Sequence, residues 1–257
     1  MAEPRIVFFD LEVLADMREV RKVFFSIGNY PGLTLKATIN SIICAGWKVL
    51  GDSQTHCISA WDYPKRWRKD VNDDTEVVRA IYEVLKSADA VVTHNGRRFD
   101  WKFLQTRLLR HKLPPLGKIR HIDTCAISKS NLMPYNNKLE TLARMAGSEK
   151  MDSGGADLWC AVAERDVKAQ RKMAEYCKQD VRALESVFKM LKPFMSQLPN
   201  YNLFEPGMKN ICPNCGSTRI NCEGTRVTST RTYKRYICRD CNTWSRTDVN
   251  DQLPRPL

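Results

Sequence analysis

Two Cys-x-x-Cys pairs, Cys212/Cys215 and Cys238/Cys241, stand near the end of a 257-residue chain. Each pair can offer two thiolates from one tight turn, and four thiolates hold Zn²⁺ tetrahedrally. Gly216 and Asn242 follow the pairs, and both residue types tolerate the positive φ such turns need. Tyr233 to Ile237 between the pairs reads as strand. The spacing therefore predicts a small zinc ribbon over 209–257. So short a segment buries little core, and a structural Zn²⁺ would supply much of its folding free energy.

Metal ligation is preferred over disulfides because the first residues carry neither the basic nor the apolar region of an export signal. No apolar run is long enough to span a membrane. The expected location is intracellular: cytoplasmic, or the host cytoplasm for a viral protein. The other six cysteines (44, 57, 125, 160, 177 and 222) are scattered and read as small buried hydrophobes.

The rest of the chain reads as an α/β domain. Residues 5–9 form a short buried strand that ends at Asp10, and residues 39–50 form a second. Gly51-Asp52 makes a turn into a third strand over 55–61. Lys65 to Lys69 reads as a solvated basic loop. Apolar spacing predicts helices over 74–87, 98–111 and 138–146, and strands over 90–93 and 119–125. Residues 148–157 read as loop. A long amphipathic helix follows from about 167 to 195, with 173, 177, 181, 184, 188 and 191 on its apolar stripe. Strands followed by mixed strand and helix imply a mixed sheet flanked by helices. Three parts result: a domain over 1–195, a Pro- and Gly-containing linker over 196–208, and the ribbon over 209–257.

Four acids lie where these elements can bring them together. Strand alternation puts Asp10 and Glu12 on one face. Asp100 follows a strand. Asp180 lies on the long helix, with Tyr176 one turn before it on the same face. Converging carboxylates repel unless cations neutralise them, and hard ions such as Mg²⁺ or Mn²⁺ prefer carboxylate oxygen. Two such ions about 4 Å apart can activate a water and stabilise the leaving oxygen of a phosphodiester. A tyrosine hydroxyl could orient that water.

In order along the chain, Phe9-Asp10-Leu11-Glu12, His94-Asn95-Gly96-x-x-Phe99-Asp100 and Tyr176-Cys177-x-x-Asp180 resemble the three exonuclease motifs of the DEDD superfamily. The Tyr-x-x-x-Asp form of the third motif is that of the tyrosine branch, DEDDy, which includes the proofreading domains of family A and family B DNA polymerases. His121-Ile-Asp123-Thr and Lys138 to Ala143 resemble the connecting strand and helix of stand-alone bacterial and phage members. The resemblance covers roughly 5–192. It implies a ribonuclease H-like fold with a mixed five-stranded sheet, and two Mg²⁺ or Mn²⁺ ions held by Asp10, Glu12, Asp100 and Asp180. Tyr176 would hold the attacking water, and Asn95 and Phe99 would support the site or the terminal nucleotide. The implied activity is 3′–5′ exonucleolytic release of nucleoside monophosphates, with DNA favoured over RNA and a single-stranded 3′ end as substrate. Two features depart from the pattern: Val13 stands where Thr or Ser usually follows, and residues 14–38 have no obvious pattern. Asp123 is expected to be structural. His94 is not expected to act as the base.

The net charge of +12 favours a polyanionic partner. In the ribbon, Arg219, Arg226, Arg231, Lys234, Arg235 and Arg246 interleave with Tyr233, Tyr236 and Trp244. These residues could contact phosphates and stack on bases, or the ribbon could dock a replication or repair protein. Arg97 and Arg98 lie inside the second motif and could extend the basic surface. Two other readings stay open: a catalytically silent nucleic-acid-binding subunit of a replication or repair complex, and a ribonuclease H-like transposase or endonuclease. The motif spacings disfavour the last.

Overall fold

The computed structural model describes residues 4–15, 40–149, 151–152, 155–195, 211–248 and 255–256. The expected linker and most of 14–38 lie outside them.

Five strands form the main sheet: β1 (Ile6–Ala15), β2 (Asn40–Val49), β3 (His56–Ser59), β4 (Ala90–Thr93) and β5 (Arg120–Asp123). Their order is β3-β2-β1-β4-β5. β1 pairs antiparallel with β2 and parallel with β4, and β4 pairs parallel with β5. The sheet is therefore mixed, as expected. β4 is buried on both faces, which explains its unbroken Ala-Val-Val run.

Among the described residues, seven α-helices surround the sheet: α1 (Pro64–Lys69), α2 (Thr75–Leu85), α3 (Asp100–Arg110), α4 (Thr124–Asn131), α5 (Leu139–Met145), α6 (Ala156–Ala163) and α7 (Val167–Leu191). Alternation along β1 divides the core. Val7, Phe9 and Leu11 pack with Val77, Ile81, Leu104 and Leu108 of α2 and α3. Ile6 and Phe8 pack with Leu142 of α5 and with Leu184, Val187 and Phe188 of α7. Phe8 meets Phe188 edge-on, with ring centroids 5.2 Å apart. Each fully buried side chain of this kind stabilises the fold by about 2–3 kcal/mol. All six stripe positions expected on the long helix are buried.

Three local expectations are corrected. β1 does not end at Asp10 but continues to Ala15, because β2 pairs with it from Val7 onward. The segment from Lys65 to Lys69 is helical, and Trp67 is buried against Trp61. The periodic apolar anchor within that basic run was too short to read as a helix. Residues 156 and 157, expected as loop, open α6.

The C-terminal strands β6 (Ile220–Val227), β7 (Thr232–Cys238), β8 (Trp244–Asp248) and β9 (Arg255–Pro256) form a separate antiparallel sheet in that order. Gly216 and Asn242 adopt φ of 74° and 53°, as the cysteine turns require. Lys192 Nζ donates to the carbonyl of Cys215 at 2.9 Å, so the first cysteine turn sits against the end of α7.

Candidate active site and cysteine centre

The even-numbered residues of β1 face α7, so Asp10 and Glu12 continue the face begun by Ile6 and Phe8. A carboxylate oxygen from each lies within 4.8 Å of the other and of Cys177 Sγ on α7. Helical spacing places Tyr176 and Asp180 beside Cys177 on the same side of α7.

Gly46 permits this approach. It pairs with Asp10 across β1 and β2. A Cβ there would lie 2.9 Å from Cys177 Sγ and 3.0 Å from the Cys177 carbonyl oxygen. Only the missing side chain lets α7 lie so close to the strand behind Asp10.

β4 supplies the next element. Its pairing with β1 reaches Phe8 opposite Val92, so it does not flank the acidic end of β1. The backbone N–H of Leu11 donates instead to the Asp100 carboxylate. Burial pushes the Asp100 carboxyl up to about 7, against lowering by its own backbone N–H and that of Leu11. The charge on Asp123 adds to the rise. A bulge directly after Glu12 shifts the register with β2. The Ile42 N–H at that bulge donates to buried Asp74 at 2.9 Å, and Arg107 and His111 hold the same carboxylate.

Asp123 shapes the loop before Asp100. Its carboxylate accepts from the backbone N–H groups of Asn95, Arg97, Cys125 and Ala126. It thus caps α4 and ties down the second motif, the structural role expected of it. Asn95 stands at φ 62°, which its short polar side chain tolerates. A Cβ on Gly96 would collide with the Thr93 side chain. Both ring nitrogens of His94 are engaged: Nε2 donates to the Asn137 carbonyl, and Nδ1 lies 2.9 Å from the Thr124 hydroxyl. His94 is therefore ill placed to act as a base.

A cavity of about 950 Å³ opens over this region. Asp10, Tyr176, Asp180 and Asn95 line it, while Arg98, Lys129 and Lys138 add positive charge to its walls. Glu12 and Asp100 are buried and do not line it. Phe99 stacks on Phe103, with centroids 5.7 Å apart, and is not one of the lining residues. Tyr176 is steadied edge-on by Trp159 at 6.0 Å. Sequence reasoning missed Lys129 as a wall of this cavity. An isolated lysine on a short helix carries no local signal, whereas Lys138 at least belonged to a quoted motif.

The donor set fits hard divalent cations: Asp10 and Glu12 offer carboxylate oxygens in one cluster, and Asp180 borders the same cavity. The ribbon cysteines fit a soft ion. All four Sγ atoms lie within 4.8 Å of one another. Cys212 and Cys241 are 3.6 Å apart, as are Cys215 and Cys238. A Zn–S distance of about 2.3 Å gives a tetrahedral edge of about 3.8 Å. Burial pushes the Cys241 thiol up, but hydrogen bonds from Thr243, Cys215 and Asn214 outweigh it and bring it to about 7. Of the other six cysteines, Cys222 is exposed rather than buried, because β6 lies open to solvent there. Cys44, Cys57 and Cys177 are not scattered in space but converge within 4.8 Å.

The model of the RNase H superfamily matches residues 35–192. The chain belongs to the RNase H superfamily. The match begins after the first motif, so the RNase H model does not itself cover Asp10 and Glu12. A similar solved structure is the family B DNA polymerase from the hyperthermophilic archaeon Pyrobaculum calidifontis, with a TM-score of 0.54 and 17% identity. The alignment covers 91% of this chain and 32% of that polymerase, so this RNase H-like chain spans about a third of the polymerase's length. No curated protein matches. Among the described residues, no helix is long and apolar enough to cross a membrane.

Proposed function

We propose that this chain is a metal-dependent 3′–5′ exonuclease of the DEDDy type, acting on a single-stranded 3′ end, with DNA favoured over RNA. The observation that carries the reading is the convergence of Asp10 and Glu12 with the Tyr176–Asp180 face of α7 beside one cavity. The RNase H-like fold agrees with it.

Asp10, Glu12, Asp100 and Asp180 would hold two Mg²⁺ or Mn²⁺ ions. Such ions supply an activated water and neutralise charge on the leaving oxygen. Tyr176 orients the attacking water from the cavity wall. Arg98, Lys129 and Lys138 attract the phosphodiester, while the cavity's carboxylates, Asp10, Glu140, Asp152 and Asp180, would be offset by bound metal ions. Asn95 borders the space for the terminal nucleotide, and Phe99 supports the loop that carries it. Cys212, Cys215, Cys238 and Cys241 would bind a structural Zn²⁺ that folds the ribbon.

The test is a time course on 3′- and 5′-labelled single-stranded DNA and RNA with Mg²⁺, Mn²⁺ or EDTA. Shortening from the 3′ end that needs metal and disappears in Asp10→Asn and Asp180→Asn is the expected result. Undiminished cleavage by either variant would overturn the site assignment. Binding without cleavage in every lane would favour an accessory subunit.

A further inference from the structure

The ribbon's basic residues do not form one undifferentiated surface. Arg219 pairs with Asp240 and Arg239 with Glu223, each at 3.0 Å. Strand alternation sends Lys234 and Tyr236 to one face of β7, the face on which their β8 partners Thr247 and Ser245 are buried. Tyr233 and Arg235 take the other face.

Register extends that second face across three strands. Arg226 of β6 opposes Tyr233, Arg235 opposes Arg246, and Trp244 opposes Ile237. Directly opposed residues of an antiparallel pair share a face. The diagonal neighbours close the pattern: the Arg235 guanidinium lies 4.1 Å from the Trp244 ring centroid, and that of Arg246 lies 4.6 Å from the Tyr233 ring centroid. Two cations thus sit side by side at the centre of the face, each held against an aromatic ring on its outer side.

We propose that this Trp244–Arg235–Arg246–Tyr233 ladder is a second nucleic-acid site, which takes a single strand without sequence preference. Like-charged arginines directly opposite one another repel, and a bound phosphate relieves that repulsion. The rings pin both guanidiniums, so little side-chain freedom is lost when a strand binds. Aromatic rings offer bases a stacking surface that does not discriminate among them. A single strand presents phosphates and unstacked bases together, whereas an acidic peptide matches only the charge.

The placement also gives the site a reach; its link to cleavage rests on the exonuclease reading. The Lys192–Cys215 contact seats the ribbon at the end of α7, 12 residues past Asp180. At 1.5 Å per residue that is about 18 Å. An extended single strand rises more per nucleotide than the roughly 3.4 Å of stacked B-DNA, so about five nucleotides is ample for a strand with its 3′ end at the carboxylates to reach the ribbon.

The experiment uses the full chain carrying Asp10→Asn, so that probes survive, and fluorescent oligodeoxynucleotides of four and twenty residues. Paired Arg235→Gln/Arg246→Gln is expected to weaken the 20-mer roughly tenfold to a hundredfold, a loss in the range known for single-strand platforms. It should also reduce the slope of log K against log salt by about 1.4. The 4-mer, which covers fewer stacking positions, should lose less than the 20-mer. Paired Arg235→Lys/Arg246→Lys keeps the charge but loses the flat ring contact, so it should retain the salt slope while weakening the 20-mer. Protection of the ribbon thiols from a thiol reagent checks that each variant is folded.

Unchanged 20-mer affinity in a folded Gln pair would overturn the ladder. So would an acidic peptide that binds the parent as tightly as the 20-mer and loses affinity in the Gln pair, which would assign the face to a protein. The two readings fail separately. Ladder-dependent binding beside a native sequence that cuts nothing would sink only the nuclease, and metal-dependent cutting beside an inert ladder would sink only the second site.

Discussion

In protein stripped of divalent ions, Asp100→Asn should stabilise the fold as pH rises. The Asp100 side chain is buried, and burial lifts its pKa from 3.8 to about 7. The sign follows from proton counts. Between these two values the unfolded chain has released the proton while the folded chain retains it, so stability falls as pH rises. Above about 7 the loss is complete. A rise of roughly three units at 1.36 kcal/mol each sets a ceiling of about 4 kcal/mol. Asparagine keeps the volume and an oxygen for the Leu11 N–H, but it does not ionise. Urea unfolding in EDTA at pH 4, 6 and 8 should therefore show the variant-minus-native difference growing by about 3–4 kcal/mol. Mg²⁺ should raise native stability more at pH 8 than at pH 5. On the proposed exonuclease reading, in which Asp100 holds a metal ion, the variant should still lose cleavage on the order of 10²–10³-fold, because such a carboxylate would supply several kcal/mol of transition-state stabilisation. A difference that stays constant across pH would refute the reasoning.

The same titration, read on a different variant, reports His121. Burial pulls its imidazole down to about 4, so its contribution is present above about 6.5 and is lost as pH falls toward 4. Partial exposure limits the effect to about 2 kcal/mol, and His121→Gln should flatten that limb in urea melts. Asp74→Ala should cost about 3–5 kcal/mol by denaturant unfolding, since it strands the buried Arg107 and frees the Ile42 N–H. Gly46→Ala should cost about 1–3 kcal/mol, because its Cβ pushes α7 away from β2 beside Asp10, and on the exonuclease reading it should also slow cleavage. On the proposed zinc site, a strong chelator should expose all four ribbon cysteines to a thiol reagent while the main domain's circular dichroism persists.

Features confined to one segment were legible before any fold was known. Period two placed Asp10 and Glu12 on one face, and helical spacing did the same for Tyr176 and Asp180. The cysteine spacing announced the four-thiol cluster, and the order of apolar runs announced a mixed sheet. Each depends on geometry that a dozen residues carry within themselves. What lay beyond reach joined distant segments. The register of β2 carried β1 past Asp10, and the absence of a side chain at Gly46 let α7 close on that strand. Asp123 used four backbone N–H groups, two from the loop before Asp100 and two from the first turn of α4, and the pairing of β7 with β8 set Arg235 and Arg246 against aromatic rings. Local periodicity is written in the spacing of residues along the chain. Convergence is decided by long-range pairing and close approach, which the same spacing leaves open.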